Sequence, residues 1–540
     1  MYPISPQLNK ILLAFLFLLP AFSLYIKIIW PHLAQTGFDG TAIICFELIF
    51  ILFIAVFGKH PKNISRNSYF LIVALASWHV LGVISALLSD HFYASIIKQI
   101  EYAIHCLFAY SAWVFLSQTG KTEKMSFWLI FTSMWTVYYI LSAWHSHPDA
   151  FHHNWVNGTP MFNNIRHLGY LQIGILPLLF LPLLINKPHK HLTTLLLLTV
   201  FWASIIWSCS RGTFLTAVIL TAVLATFFSH KGRAIISLSI IAFFLGWLIA
   251  IQFPSESPSL DTLRLLFLNF NDAQSLDVNQ LSSNRIDIWK LTLINMWQHN
   301  ALLGFGADGF RYITPLLVPN IVQPHNSPIQ FLSEFGLIGF SVLLGVVFFI
   351  LKLWSENPGT TVNKLARFCL LAIGIGSLLD GHFHHTFSLL LIACLTALSF
   401  AKSSYSSQGS SNTLSAFFLL ALSVAFIWPM QKHWQTYIAQ QSPLINEFQL
   451  KEVESFPSYY SPMIWLYGFN FSSELRLQAI KFGQLNGPKQ CNYYLIEYSE
   501  SQEIETQNAL LIPIRQICSK AELNNTNNPE FIKLALEVSQ

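Results

Sequence analysis

Apolar stretches long enough to cross a bilayer recur from residue 11 to residue 429, and no other feature limits the fold as much. A spanning helix needs about 20 mostly apolar residues, because backbone groups in hydrocarbon must pair within the segment. Of the 540 residues, 53% are hydrophobic and only 10% are charged, against about 25% charged in ordinary soluble domains. No alternating tract suggests a lipid-facing barrel. The sequence predicts an all-α polytopic membrane protein of about 13 transmembrane helices. Their starts fall near residues 11, 42, 69, 94, 127, 168, 192, 213, 234, 328, 365, 387 and 414. The first run, from Ile11, has no small-residue cleavage site and reads as a retained helix. The net charge of +4 is spread over loops, so nucleic-acid binding is not indicated.

The basic residues sort the loops. Lys59, Lys62 and Arg66, Lys121 and Lys124, Lys187 and Lys190, Lys231 and Arg233, Lys352, Lys364 and Arg367, and Lys402 fall on one side if the spans alternate. The positive-inside rule makes that side the cytoplasm. The outer side then holds 145–167, the SCSRG turn at 208–212, a large loop 254–327, DGHFHH at 380–385, and a tail from about residue 430. Two domains are expected: 1–430, membrane-embedded with the loop 254–327 included, and 431–540, a small helical domain outside. Leu475, Leu477, Ile480 and Phe482, then Phe531, Leu534 and Leu536, suggest short amphipathic helices in the tail. Cys491 and Cys518 can pair there if the compartment is oxidising.

Outer basic residues before the tail are scarce: Arg166, Arg211, Arg264, Arg285, Lys290 and Arg311. Headgroup contacts or loop salt bridges are the ordinary reading for any one of them. Arg211 sits in a turn too short to carry it off the membrane surface. Arg285 opens RIDIWKLTLINMW, where Ile286, Trp289, Leu293 and Trp297 recur at helical spacing, as in an amphipathic helix lying on the membrane.

The stretch PHNSPIQFLSEFGLIGF, residues 324–340, adds ionisable groups to a spanning segment. Asn326, Gln330 and Glu334 lie four apart and share one helix face. His325 stands at its outer end, and Gly336 and Gly339 allow another helix to approach. A polar stripe at this depth faces protein or a water-filled cavity, not lipid. A lone histidine is more often structural, but imidazole can also take a proton from a hydroxyl as a general base. Guanidinium groups on the same side suit a phosphate leaving group. Lys98, Glu101 and His105 also share a face; an internal ion pair between packed helices is favoured there over a transporter's ion relay. The histidines of HSHPDAFHH (145–153) and DGHFHH are weak metal signals, and no metal site is expected. Asp380 can orient a histidine or bind a sugar hydroxyl.

PHNSPIQFLSEFGLIG resembles the H-N-x-x-x-Q/E-x-x-x-E-x-G-x-x-G segment of the bacterial O-antigen ligase and polymerase superfamily, which includes the pilin-type protein O-oligosaccharyltransferases. NRIDIWKLTLINMWQHNALLGFGADGF is similar to that family's R-x-x-x-W…G-x-G-x-x-x-F stretch, SCSRGTFL to its S-R-G turn, and FNNIRHLGYL to its asparagine-containing segment. The likeness runs in order over roughly residues 160 to 400. It implies glycan transfer from undecaprenyl pyrophosphate by residues 1–430, at the periplasmic face of the inner membrane, without nucleotide sugar, cofactor or required metal. His325 would activate the acceptor, and Arg211, Arg285 and Arg166 would hold the pyrophosphate. Asn163, Asn164 and His167 would lie near the donor, while Asn326, Gln330, Glu334 and Asp380 would support the site. Direct attack would invert the anomeric carbon. Acceptors in the family are lipid A-core, another glycan, or Ser and Thr of a protein. The outer tail domain favours a pilin or other periplasmic protein. A transporter or flippase of lipid-linked glycan, moving through membrane lipids, is the alternative class.

Overall fold

A computed structural model describes residues 6–29, 39–58, 60, 65–89, 91–162, 164–256, 285–310, 323–401, 417, 419–427, 431 and scattered positions from 494 to 514. Every regular element among the described residues is helical. The principal helices are α1 (Pro6–Ile29), α2 (Asp39–Phe57), α3 (Arg66–Leu87), α4 (Phe92–Thr119), α5 (Thr122–Ser146), α6 (Arg166–Leu184), α7 (Lys190–Ser208), α8 (Arg211–Phe227), α9 (Ser229–Ala250), α10 (Arg285–His299), α11 (Ser327–Glu356), α12 (Thr361–Ser377) and α13 (Thr386–Phe400). The chain is an all-α polytopic membrane protein. Among the described residues, nine helices are long and apolar enough to cross a membrane, and α8 and α13 are apolar but shorter. Each expected start from 11 to 387 falls inside a helix, and that near 414 lies outside the described residues.

Local chemistry sets the helix ends. Gly120 adopts the left-handed conformation that closes α4, with its N–H on Leu116. Thr360 and Asn363 form a reciprocal capping box that starts α12. Pro177 and Pro182 interrupt α6, whose middle tightens into a 3-10 turn at Leu176–Phe180. That irregularity sits in protein rather than lipid: 94% of the apolar window of α6 is buried, against 22% for α3 and α11. Helix α6 is thus the axis of the bundle, while α3 and α11 pair at its lipid-facing rim.

The basic loops meet at one end of the bundle. Lys187 pairs with Glu123 at 3.3 Å, and Lys190 and Lys231 both donate to Asn186. Arg367 reaches the carbonyls of Trp354 and Ser399, Asn67 bonds Glu356, and Phe368 packs on Phe227 and Phe228. Loops assigned to the opposite face also meet one another: Glu256 donates its N–H to Phe151 at 2.9 Å, and a Cβ on Gly212 would touch Leu379 at 3.6 Å.

In α10, Ile288, Thr292 and Met296 pack on protein, and Ile286 and Trp297 of the expected apolar stripe are exposed, as a stripe turned to the membrane would be. One element differs from expectation. Helix α11 is broken at Gly336 (φ 63°, ψ −173°), and a loop rather than a helix fills the close approach. Ala301 and Leu302 accept from the N–H groups of Leu337 and Ile338, while Phe305 and Gly306 donate to Ser333 and Glu334. The loop thus supplies the backbone partners that the interrupted helix lacks.

Most of the tail, including Cys491, Cys518 and the leucine and phenylalanine positions named above, lies outside the described residues. Among its described positions, Tyr498, Leu510 and Ile514 form a small apolar cluster with Tyr494, Leu495 and Leu511. Arg264, Arg311, Lys59, Lys62, Lys402 and Asn163 also lie outside the described residues.

Candidate functional site

Asn326 starts α11. Its side-chain oxygen accepts from the N–H of Ile329 at 2.9 Å, and its amide donates to the carbonyl of Leu378 at 2.9 Å. One residue earlier His325 takes φ 52°, a left-handed conformation uncommon outside glycine. The turn sets its ring against the 378–385 connection between α12 and α13. Nδ1 of His325 lies 2.9 Å from Oδ1 of Asp380. Ser327 donates to the Asp380 carbonyl at 3.3 Å, and the Gly381 N–H donates to the Asp380 carboxylate at 2.9 Å.

The charge states follow from these partners. Burial alone would raise the Asp380 carboxyl. The bond from His325 and the charges of His325 and Arg285 outweigh it and hold the group below the usual carboxylate range. An ionised carboxylate only accepts, so Nδ1 of His325 carries the hydrogen and Nε2 is the basic nitrogen. Behind this pair, burial pulls His382 down to about 4 and His385 further below its ordinary value, so both rings are neutral. His167 packs against His385 with ring centres 4.0 Å apart and planes tilted by 48°.

The arginines gather around the same loop. Arg285, the first residue of α10, donates to the Leu379 carbonyl and lies in the fields of Asp380 and Arg166. Trp289, one turn on, donates to the Pro324 carbonyl at 2.7 Å and ties α10 to the histidine segment. Arg211 opens α8 and is exposed, next to the Gly212 that lies against Leu379. Arg166 opens α6, exposed, with its N–H on the Asn164 side chain at 2.9 Å. Gln330 and Glu334 are buried deeper on α11, joined at 3.1 Å, and Gln330 also lies 3.4 Å from Nδ1 of His384. The structure therefore brings together His325, Asn326, Asp380, Arg285, Arg166 and His167, with Arg211 adjoining and Gln330 and Glu334 beneath.

Sequence reasoning missed Tyr170. It is buried, its ring centre lies 4.2 Å from His382, and its hydroxyl interacts with Asp380 and Gln323. Its place four residues after Arg166, on the same face of α6, was the available signal. In the histidine-rich 145–153 segment, exposed His152 bonds Asp149 at 2.8 Å. Among the described residues, no group of three or more His, Cys, Asp or Glu side chains is arranged to hold a metal ion.

Residues 194–344 match the family described as O-antigen ligase. The matched span holds Arg211, Arg285, His325, Gln330 and Glu334 in order, from α7 to the second half of α11. Over that span the match supports membrane glycosyl transfer of the O-antigen ligase/polymerase type. No curated protein matches the chain.

Proposed function

We propose that this protein transfers an oligosaccharide from undecaprenyl pyrophosphate to a hydroxyl acceptor, Ser or Thr of a pilin or another periplasmic protein, at the outer face of the inner membrane. The observation that carries the reading is the His325–Asp380 pair beside Arg285, with Arg166 in the field of Arg285, at the end of the bundle opposite the lysine-rich loops. In the proposed reaction, Nε2 of His325 takes the acceptor hydroxyl proton as its oxygen attacks the anomeric carbon. The bond from that carbon to the phosphate oxygen breaks, and the leaving pyrophosphate keeps the electron pair. Attack opposite the leaving group inverts the carbon. Arg285, Arg211 and Arg166 receive the developing negative charge, with guanidinium forks suited to phosphate oxygens. Asp380 holds the imidazole in the required tautomer and stabilises the imidazolium that forms.

The O-antigen ligase description favours a second reading, with lipid A-core as the acceptor. Mass spectrometry of the host's pilins and lipopolysaccharide after deletion of the gene separates the two. Loss of protein-linked glycan alone supports the first reading, and loss of O-antigen alone replaces it with the second. A purified protein that moves lipid-linked glycan across a bilayer without consuming it is a transporter, and both readings then fall.

A further inference from the structure

A buried ionic group sits directly beneath the candidate site, and its contacts lead to the loop that carries Asp380. Lys98 on α4 is only 8% exposed, and its Nζ donates to Glu101 at 2.8 Å and to the His384 carbonyl at 2.8 Å. The other oxygen of Glu101 accepts from Thr386 at 2.7 Å and lies 3.7 Å from Nε2 of His105. His105 in turn lies 2.9 Å from Glu47 on α2.

Stability is a poor account of this group. Desolvating a lysine and carboxylates inside the bundle costs about as much as their attraction returns, and well-packed apolar residues often do as well. A proton relay is a poor account too, because a relay needs an exit and the series ends at Glu47, which is wholly buried (0% exposed). What distinguishes Lys98 is where its second hydrogen bond goes, to the His384 carbonyl.

The 378–384 loop is held by its carbonyl oxygens from several elements. Asn326 and Ser327 of the α11 start take Leu378 and Asp380, and Arg285 of α10 takes Leu379. From the opposite side Tyr102 reaches Phe383 at 3.5 Å, and Lys98 takes His384. The first three donors belong to the candidate site itself. Lys98 and Tyr102 come from α4, so they anchor the loop independently of the donor- and acceptor-binding groups.

We infer that Lys98, clamped by Glu101, is a positioning residue: it fixes the 378–386 loop from below and so sets Asp380 against His325. This rests on the proposed role of His325 and Asp380. A loop displaced by ~1 Å would misalign the pair, and misplacement of that order can cost about 10²-fold in rate.

The test uses the full chain in lipid nanodiscs, with lipid-linked glycan and acceptor fraction extracted from the host. Lys98→Met alone strands the Glu101 charge and can fail to fold. The double variant Lys98→Met/Glu101→Gln removes both charges and supplies the second arm. His325→Ala runs in parallel. The double variant is expected to turn over about 10²-fold more slowly, with KM for donor close to wild type. Amides of residues 381–387 should exchange faster with deuterium. Lys98→Arg, which keeps a cation and donors, should recover part of both readouts. Wild-type turnover in the double variant overturns the inference, and so does slow turnover with unchanged amide protection. If His325→Ala remains active while the double variant's loop loosens, the proposed chemistry fails and only the holding of the loop by Lys98 survives.

Discussion

At the scale of single residues, the protonation pattern of one imidazole decides the chemistry. Asp380 accepts hydrogen bonds from both His325 and the Gly381 N–H, so its charge is spoken for on the loop side as well as the ring side. Asp380→Asn removes the charge and allows the ring to turn its basic nitrogen inward. Transfer should then fall by roughly 10²-fold or more, and His325→Ala by about 10²–10⁴-fold, with donor binding retained in both. A donor-binding loss equal to the rate loss in His325→Ala would assign the histidine to phosphate binding instead. The same carboxylate makes a stability prediction. Its folded pKa lies below the ordinary value of about 3.9, so its stabilising contribution is full above that pH and is lost as pH falls through the folded value. The Tm difference between wild type and Asp380→Asn should therefore be largest near neutrality and shrink in acid. Arg285 already spends one donor on Leu379. Lysine lacks the planar two-armed fork that spans the loop carbonyl and a phosphate oxygen in fixed geometry, so an activity loss of at least tenfold is expected for Arg285→Lys in single-turnover assays.

At the scale of elements, the break in α11 and the loop that fills it form one unit. A Cβ on Gly336 would sit 2.3 Å from the Leu302 carbonyl oxygen, and one on Gly304 would sit 2.5 Å from the Glu334 backbone. Both glycines also have positive φ, which costs other residues about 1–2 kcal/mol before any clash. Gly336→Ala and Gly304→Ala should each lower abundance and thermal stability, whereas Gly345→Ala, with nothing within 4 Å of its added carbon, should be neutral or slightly stabilising. Equal melting of all three proteins would refute the interlock. Here the sequence was only half legible. The four-residue spacing of Asn326, Gln330 and Glu334 marked a buried polar face correctly, because helical periodicity is local. Gly336 read as a contact point for a helix, since a glycine does not reveal whether it admits a neighbour or breaks its own helix. The periodicity of α10 marked an apolar stripe of which Ile286 and Trp297 are exposed. Asp380 and Lys98 were visible as chemistry-bearing residues, but their meeting with His325 and His384 joins positions 55 and 286 apart, which no local pattern encodes.

At the scale of the whole molecule, the bundle has two chemically different ends, and the proposed reaction needs them on opposite sides of a membrane. Lys187, Lys190, Lys231 and Arg367 cluster at one end through partners on neighbouring loops. The His325–Asp380 pair, Arg285 and Arg166 occupy the other. Cationic loops resist translocation, so the lysine-rich end should stay in the cytoplasm. Lipid-linked glycan would then meet the arginines only on the far side. Reporter fusions near residues 122, 188, 232 and 365 should give cytoplasmic signals, and fusions near 290 and 480 should give external ones. Single-cysteine variants at Asn186 and Glu256 provide a second reading in the folded chain: an impermeant thiol reagent on intact inner-membrane spheroplasts should label the Glu256→Cys protein and spare the Asn186→Cys protein. Cys491 and Cys518 of the tail, expected outside, must be among the native cysteines replaced, whereas the five described ones are partly or fully buried. A cytoplasmic signal at 290, or labelling at 186 alone, would put the arginines and the histidine on the wrong side of the bilayer. No periplasmic acceptor could then reach His325, and the transfer reaction proposed for it would have to be abandoned along with the topology.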